Sequence, residues 1–168
     1  MAAANFAVAA AAICVAFLGA SEAHGADDRR CYDVKVVAHA IQQIPSVAPE
    51  LGPNQILAVW PWFLDLQVTR VLAGRLSGEL VNVLSVQHTD VLPEDRTWWL
   101  RRNTAGTYNA IYPDRGERLR RCSSSAIPVE PYLIPAAGKT LQQYREEGAQ
   151  HYRDWLEQRQ RYYEREAS

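Results

Sequence analysis

The chain carries almost no net charge and very little lysine. Its 18 basic and 19 acidic residues leave a formal charge of −1, and Lys35 and Lys139 are its only lysines. A dedicated nucleic-acid-binding protein usually shows a strong basic excess. We therefore expect no nucleic acid among the partners.

A catalytic motif is also missing from the sequence. The serines at 123–125 do not stand in the Gly-x-Ser-x-Gly pattern of a nucleophile elbow, and no glycine-rich phosphate loop is present. The chain is therefore predicted to bind or interact without catalysis and without a cofactor.

The N-terminal stretch lacks charge altogether between residues 2 and 20. An apolar run of this kind, followed by small residues, is typical of a secretory signal peptide. We predict that residues 1–26 are cleaved on export to the periplasm or the medium, after which no stable membrane insertion is expected. The run is close to the roughly 17 residues that a membrane span needs, so retention as an anchor is the alternative.

Cysteine is scarce, with three residues in the chain. Cys14 lies within the predicted signal peptide, so Cys31 and Cys122 are the two that remain after cleavage. A pair of cysteines in an exported protein indicates one disulfide. Closing a loop of this length would stabilise the fold by about 4–5 kcal/mol in the chain-entropy model.

Among the features that the sequence does contain, the most informative is the stretch from Trp60 to Leu72. Large apolar residues alternate in it with mostly smaller or polar ones, and alternate residues of a strand face opposite sides. The stretch therefore predicts a strand with one large core face. The residues of that face are Trp60, Trp62, Leu64, Leu66 and Val68.

Four further strands are predicted over 31–40, 79–87, 96–102 and 108–112. The apolar residues of 79–87 change parity between Val83 and Leu84, which fits either a bulge or a strand buried on both faces. The barrel domain is predicted over 27–122, with a loop from Ile44 to Asn54 that contains three prolines. A proline-rich connector over 123–139 follows it.

A C-terminal helix is predicted over 140–167. Thr140 and Gln143 have the spacing of a capping box, and a one-sided aromatic stripe follows. From Leu141 to Glu166 the helix would be about 39 Å long. Its outer part would then contact a partner, which includes a second copy of the chain. The other interpretation, which is favoured because terminal amphipathic helices most often dock on their own core, is that the helix bends over the barrel and buries Tyr144, Tyr152 and Trp155. The candidate partner residues are Tyr152, Trp155, Tyr162 and Tyr163.

Five short strands with a central meander and a terminal helix match a small Greek-key barrel of the OB type. The predicted fold class is mainly β, a five-stranded OB-like barrel with a long C-terminal α-helix. Cys31–Ala38, Leu64–Gly74 and Trp98–Asn103 resemble segments of the netrin-like module, which includes the tissue inhibitors of metalloproteinases, and of exported bacterial domains of similar pattern. The resemblance covers Cys31 to Cys122 and implies the same kind of barrel. The zinc-chelating N-terminal cysteine of those inhibitors is not carried over, because residues precede Cys31 after the predicted cleavage.

Two sets of side chains are candidates for a site. Arginine and aromatic residues on the fourth and fifth strands would form a ligand face for an anionic glycan, and its members are Arg96, Trp99, Arg101 and Tyr108. A metal site needs three or four converging ligands, and His39, His88 and Asp90 are the best such set. The sequence therefore favours an exported binding protein whose partner is an unknown protein or an anionic glycan. A metal-dependent enzyme that uses the histidine set is the alternative.

Overall fold

The computed structural model describes residues 30–48, 52 and 56–166, so the predicted signal peptide lies outside the described residues. Five strands and one helix follow in chain order. Their bounds are β1 Val34–Pro45, β2 Trp60–Ala73, β3 Leu80–Gln87, β4 Arg96–Arg102, β5 Tyr108–Ile111 and α1 Leu141–Glu166.

The strands form a closed barrel in the order β1-β2-β3-β5-β4. β3 and β5 run parallel, while β1 pairs antiparallel with both β2 and β4. This arrangement, with one helix after the barrel, confirms the predicted fold class of a small OB-like barrel.

The barrel core is built on the alternation predicted for β2. Trp62, Leu64 and Leu66 are at most 4% exposed and lie in the main core cluster, against which Trp60 and Val68 pack. Since successive residues of a strand face opposite sides, the next residue on the outer side, Phe63, belongs to a second buried cluster beneath α1.

From Val83 onward β3 is buried on both faces, and it carries no bulge against β2. Val81 and Val83 lie in the main core, whereas Leu84 joins Phe63 in the second cluster. Its register with β2 runs without a shift from Trp60 opposite Gln87. The parity change in the sequence therefore reflects a helix packed on the outer side of the strand.

β1 extends further than its sequence indicates. Pro45 pairs with Trp62, and Ile44 is 7% exposed in the second cluster. The prediction of a loop beginning at Ile44 is wrong for Ile44 and Pro45, which belong to β1. Burial of Ile44 under α1 favours an extended backbone at a position where the nearby proline had predicted a loop.

The predicted disulfide between Cys31 and Cys122 is confirmed. It joins residues 91 positions apart, and the amide of Cys122 donates to the carbonyl of Tyr32 beside it. The link fastens the segment after β5 to the start of β1.

The connector between β5 and α1 lies along the barrel. Val129 bridges to Asn103, the side chain of Asn109 donates to the carbonyl of Glu130, and the Tyr132 hydroxyl donates to the carbonyl of Ala110. These hydrogen bonds fix the path by which the chain reaches α1. Within the described part of the chain, no helix has both the length and the apolar character that crossing a membrane requires.

Candidate functional site

α1 begins with the capping box that the sequence predicts. The amide of Gln143 donates to Thr140 Oγ1 at 3.2 Å, and the amide of Thr140 donates to Gln143 Oε1 at 2.8 Å. Beyond the cap, Leu141 and Tyr144 pack against the second buried cluster. The first turns of α1 therefore cover the outer side of β2 and β3.

An ion pair fixes α1 on this face. Arg145 Nη1 lies 2.8 Å from Asp65 Oδ1, Arg145 Nη2 lies 2.7 Å from Gln42 Oε1, and Asn82 donates to Asp65 at 2.6 Å. Burial alone would raise the pKa of Asp65, but the hydrogen bonds from Arg145 and Asn82, with the charge of Arg145, lower it. The carboxylate is therefore held in its charged form by the helix.

Gly148 sets how closely α1 approaches the barrel. It is the buried residue of the helix, and a Cβ built on it would clash with the carbonyl oxygen of Pro45. A glycine costs helix stability of about 1 kcal/mol relative to alanine, so its presence here is explained by the close contact with the end of β1.

Beyond this contact the helix presents its aromatic residues to solvent. Every residue from Arg153 to Glu166 is exposed, a length of about 21 Å. Trp155 is 44%, Tyr162 53% and Tyr163 60% exposed. The alternative of a helix that buries Trp155 against the barrel is therefore wrong for Trp155, while Tyr144 and Tyr152 are half-buried.

These rings lie in a row along one side of α1. Tyr152 stacks on Trp155 with ring centroids 5.7 Å apart, and the guanidinium of Arg159 lies 5.2 Å from the Trp155 ring and 5.9 Å from the Tyr163 ring. Such cation–π contacts hold a surface aromatic group in place. We call the set Tyr152, Trp155, Arg159, Tyr162 and Tyr163 the aromatic stripe.

A groove of about 420 Å³ lies where α1 leaves the barrel, and we call it the junction groove. Trp60, Trp62, His88 and Asp90 line it from the barrel. His151, Tyr152, Trp155 and Arg159 line it from the helix. Aromatic walls with a few polar groups are typical of ligand-binding clefts of this size.

Three hydrogen-bond donors at this end of the barrel have no acceptor among the described residues. They are the indole nitrogens of Trp60 and Trp62 and the amide nitrogen of Gln87. Trp60 and Gln87 are cross-strand partners, and Trp62 pairs with Ser85, whose hydroxyl donates to the other end of the Gln87 amide. A buried donor left unpaired costs about 1–3 kcal/mol.

The ligand face predicted on β4 and β5 is not a single face. Arg96 has the strand parity of buried Trp98, over whose ring it lies at 4.5 Å, whereas Trp99 and Arg101 have the opposite parity. Since alternate residues point to opposite sides, Arg96 and Arg101 cannot act on one ligand together.

Arg101 is moreover withdrawn from solvent. It is 1% exposed, with Nη1 2.9 Å from Asp33 and Nη2 2.6 Å from the carbonyl of Ile127. Tyr108 packs against the core, and burial raises its pKa. Trp99 is half-buried, with the Lys35 ammonium 5.1 Å from its ring. Arg101 and Tyr108 of the predicted ligand face are therefore held within the barrel, and binding of an anionic glycan by this set stays a prediction.

The residues predicted as metal ligands, His39, His88 and Asp90, each form a hydrogen bond to a different group. His39 Nδ1 lies 2.8 Å from Asp95, and this contact, with a hydrogen bond from Thr69, lowers the pKa of Asp95. His88 Nδ1 lies 2.7 Å from the carbonyl of Ala58, and Asp90 accepts from its neighbour Thr89. Across the described ranges, no group of three or more His, Cys, Asp or Glu side chains could hold a metal ion.

Two residues of the junction groove, His151 and Arg159, give no signal in the sequence. Each stands among other polar residues of a solvated helix, and its position depends on the direction in which α1 crosses the barrel. Comparison of the chain with protein-family models, with curated proteins and with solved structures finds no match.

Proposed function

We propose that this protein is an exported binding protein that acts without catalysis, and that the aromatic stripe holds a protein partner. The observation that carries the proposal is the contrast within α1. Its first half is packed on the barrel around Gly148, while Trp155, Tyr162 and Tyr163 in its second half stay 44–60% exposed.

Exposed aromatic residues on a formed helix are well suited to binding. Tryptophan, tyrosine and arginine are enriched at the energetic centres of interfaces, and an amphipathic helix commonly lays its apolar side into the groove of a partner. Because Arg159 already holds the rings of Trp155 and Tyr163, little side-chain freedom is lost on association.

The charges around the aromatic stripe are compatible with a second copy of the chain as the partner. Residues 153–166 carry four basic and four acidic side chains, so two such segments do not repel each other as like-charged surfaces would. The basic residues are Arg153, Arg159, Arg161 and Arg165, and the acidic ones are Asp154, Glu157, Glu164 and Glu166.

The disulfide supports export as part of the proposal. A bond between Cys31 and Cys122 forms and persists in the periplasm or outside the cell, whereas the cytosol keeps thiols reduced. We accordingly place the binding function in one of those compartments.

The experiment compares the mature chain with the double variant Tyr162→Ser/Tyr163→Ser. Light scattering measures self-association, and affinity capture from an extract of the native organism measures binding of another protein. The double variant should lose the assembly while it keeps its melting temperature. The control Gln158→Ser/Gln160→Ser places two serines on the preceding turn, at a cost in helix propensity at least as large as that of the tyrosine changes, and should retain binding. A parent chain that is monomeric and captures no protein would refute the proposal.

A further inference from the structure

We propose that a cleft at the end of the barrel where β1 begins binds a phosphate monoester. The cleft has a volume of about 380 Å³, and we call it the arginine cleft because Arg75, Arg102 and Arg121 line it. The junction groove lies at the other end of β1, beside Pro45. The arginine cleft shares no lining residue with it or with the aromatic stripe, so this site goes beyond the protein-binding function.

The first argument is the charge of the lining. Asp33, its one carboxylate, is occupied by the fold. It accepts from Arg101 Nη1 at 2.9 Å, from the Arg102 amide at 2.7 Å and from Arg102 Nε at 3.1 Å. The side chains of Asp33 and Arg101 are 8% and 2% exposed, so these two form a buried pair of opposite charges. The lining therefore keeps an excess of positive charge.

The second argument is the supply of hydrogen-bond donors. A guanidinium has five N–H donors and no acceptor. Asp33 takes the Nε of Arg102, and the two terminal nitrogens of that side chain, which is 48% exposed, remain for a ligand. The hydroxyls of Ser123 and Ser124 also lie in the lining and can donate. A ligand in this cleft must therefore bring many acceptors.

The backbone on both sides of the cleft is fixed before any ligand binds. Gly74 has a φ of 88°, and a Cβ on it would clash with the carbonyl oxygen of Asp33. The chain that leads to Arg75 is thus held against the start of β1. Across the cleft, Arg121 forms a bridge with Tyr32, one residue before the disulfide. Such preorganisation lowers the entropy lost on binding.

These features favour a phosphate monoester over other anions. Arginine forks pair with the oxygens of phosphate and carboxylate. A phosphate monoester carries a charge of about −1.5 to −2 at neutral pH and three terminal oxygens, whereas a carboxylate has one charge and two oxygens. Three arginines in one cleft match the group with more charge and more acceptors. The volume is within the range of small-ligand sites, so a sugar-sized group can accompany the phosphate.

The test titrates the mature chain by calorimetry, in a buffer free of phosphate, with a hexose 6-phosphate and with the hexose 6-sulfate. The two esters have the same shape, but the sulfate carries one charge. The phosphate should bind about tenfold more tightly, as expected for one charge-assisted hydrogen bond. Vesicles that contain phosphatidic acid present the same group on a lipid. Binding of these vesicles without binding of the sugar phosphate would uphold the site and identify a lipid headgroup as its source.

Three arginine variants test the location of the site. Arg75→Gln and Arg121→Gln should each weaken phosphate binding by about tenfold. Arg118→Gln, an exposed arginine outside the lining, should leave it unchanged. Since all three side chains are exposed, the melting temperature should not change.

Four outcomes would overturn the assignment. They are no binding of any phosphate probe, equal binding of the sulfate ester, full binding by the Arg75 and Arg121 variants, and an equal loss in the Arg118 variant. The double variant Tyr162→Ser/Tyr163→Ser should still bind the sugar phosphate. Failure of the phosphate site and failure of the protein-binding stripe are therefore distinguishable.

Discussion

Arg145 of α1 donates hydrogen bonds to both carboxylate oxygens of Asp65 in β2, across 80 residues of chain. The pair is largely buried, with 17% and 12% of the two side chains exposed. Together with the close contact of Gly148 with Pro45, it fastens α1 to the outer side of the barrel.

The Asp65 pair makes stability depend on acid pH. The pKa of Asp65 in the folded protein lies below the ordinary value of an aspartate, so the contribution is complete above that ordinary value and is lost as the pH falls through the folded pKa. Asp65→Asn should cost roughly 1–3 kcal/mol at neutral pH and reduce the loss of stability in acid. Urea unfolding at a series of pH values measures both effects. Glu146→Gln on the exposed side of α1 is the control, and a variant with the acid sensitivity of the parent would contradict this role.

At Gly148, a change to alanine is predicted to destabilise the protein. In a free helix, alanine in place of glycine stabilises by about 1 kcal/mol. Here the added Cβ would meet the Pro45 carbonyl, so Gly148→Ala should lower the free energy of unfolding or loosen α1 from the barrel. Thermal unfolding and hydrogen exchange of α1 measure this, and a more stable variant with unchanged exchange would show that the contact is not close.

The parity of β2 is tested by two neighbouring substitutions. Leu66 is fully buried, and Leu66→Asp would place an unpaired charge in the core at a cost of several kcal/mol. Gln67 is only partly buried on the opposite side, so Gln67→Asp should be mild. Equal shifts in melting temperature would contradict the assignment of the two faces.

Asp33 pairs with two arginines, one buried and one exposed, and we expect the two to differ in their contribution to stability. Arg101 and Arg102 both pair with it, but their side chains are 2% and 48% exposed. Arg101→Ala leaves a buried carboxylate short of its partner and should cost about 3–5 kcal/mol. Arg102→Ala should cost about 0–1 kcal/mol. Chemical denaturation measures both, and similar costs would place Arg101 back among candidate ligand-binding residues.

The sequence predicts those features that depend on local pattern. The alternation from Trp60 to Val68 fixes the core face of β2, and the Thr140–Gln143 box fixes the start of α1, because each is decided by residues a few positions apart. The cysteine pair could be predicted across 91 residues, since export leaves a single pairing.

The junction groove could not be predicted because its walls meet only through long-range contacts. Its position depends on Gly148 against Pro45 and on Arg145 against Asp65. Arg101 was misassigned for a similar reason. Its burial comes from Asp33 and from the carbonyl of Ile127, and an arginine in a strand carries no local signal of such partners.

The most direct test of the central claim compares the mature chain with a chain shortened to end at Arg159. Both the free energy of unfolding and binding, as self-association or capture of a protein, are measured on each. Because the residues removed are exposed, unfolding should be unchanged while binding is lost. A shortened chain that is less stable but binds as the parent does would show that the aromatic stripe serves the fold, and would contradict the account.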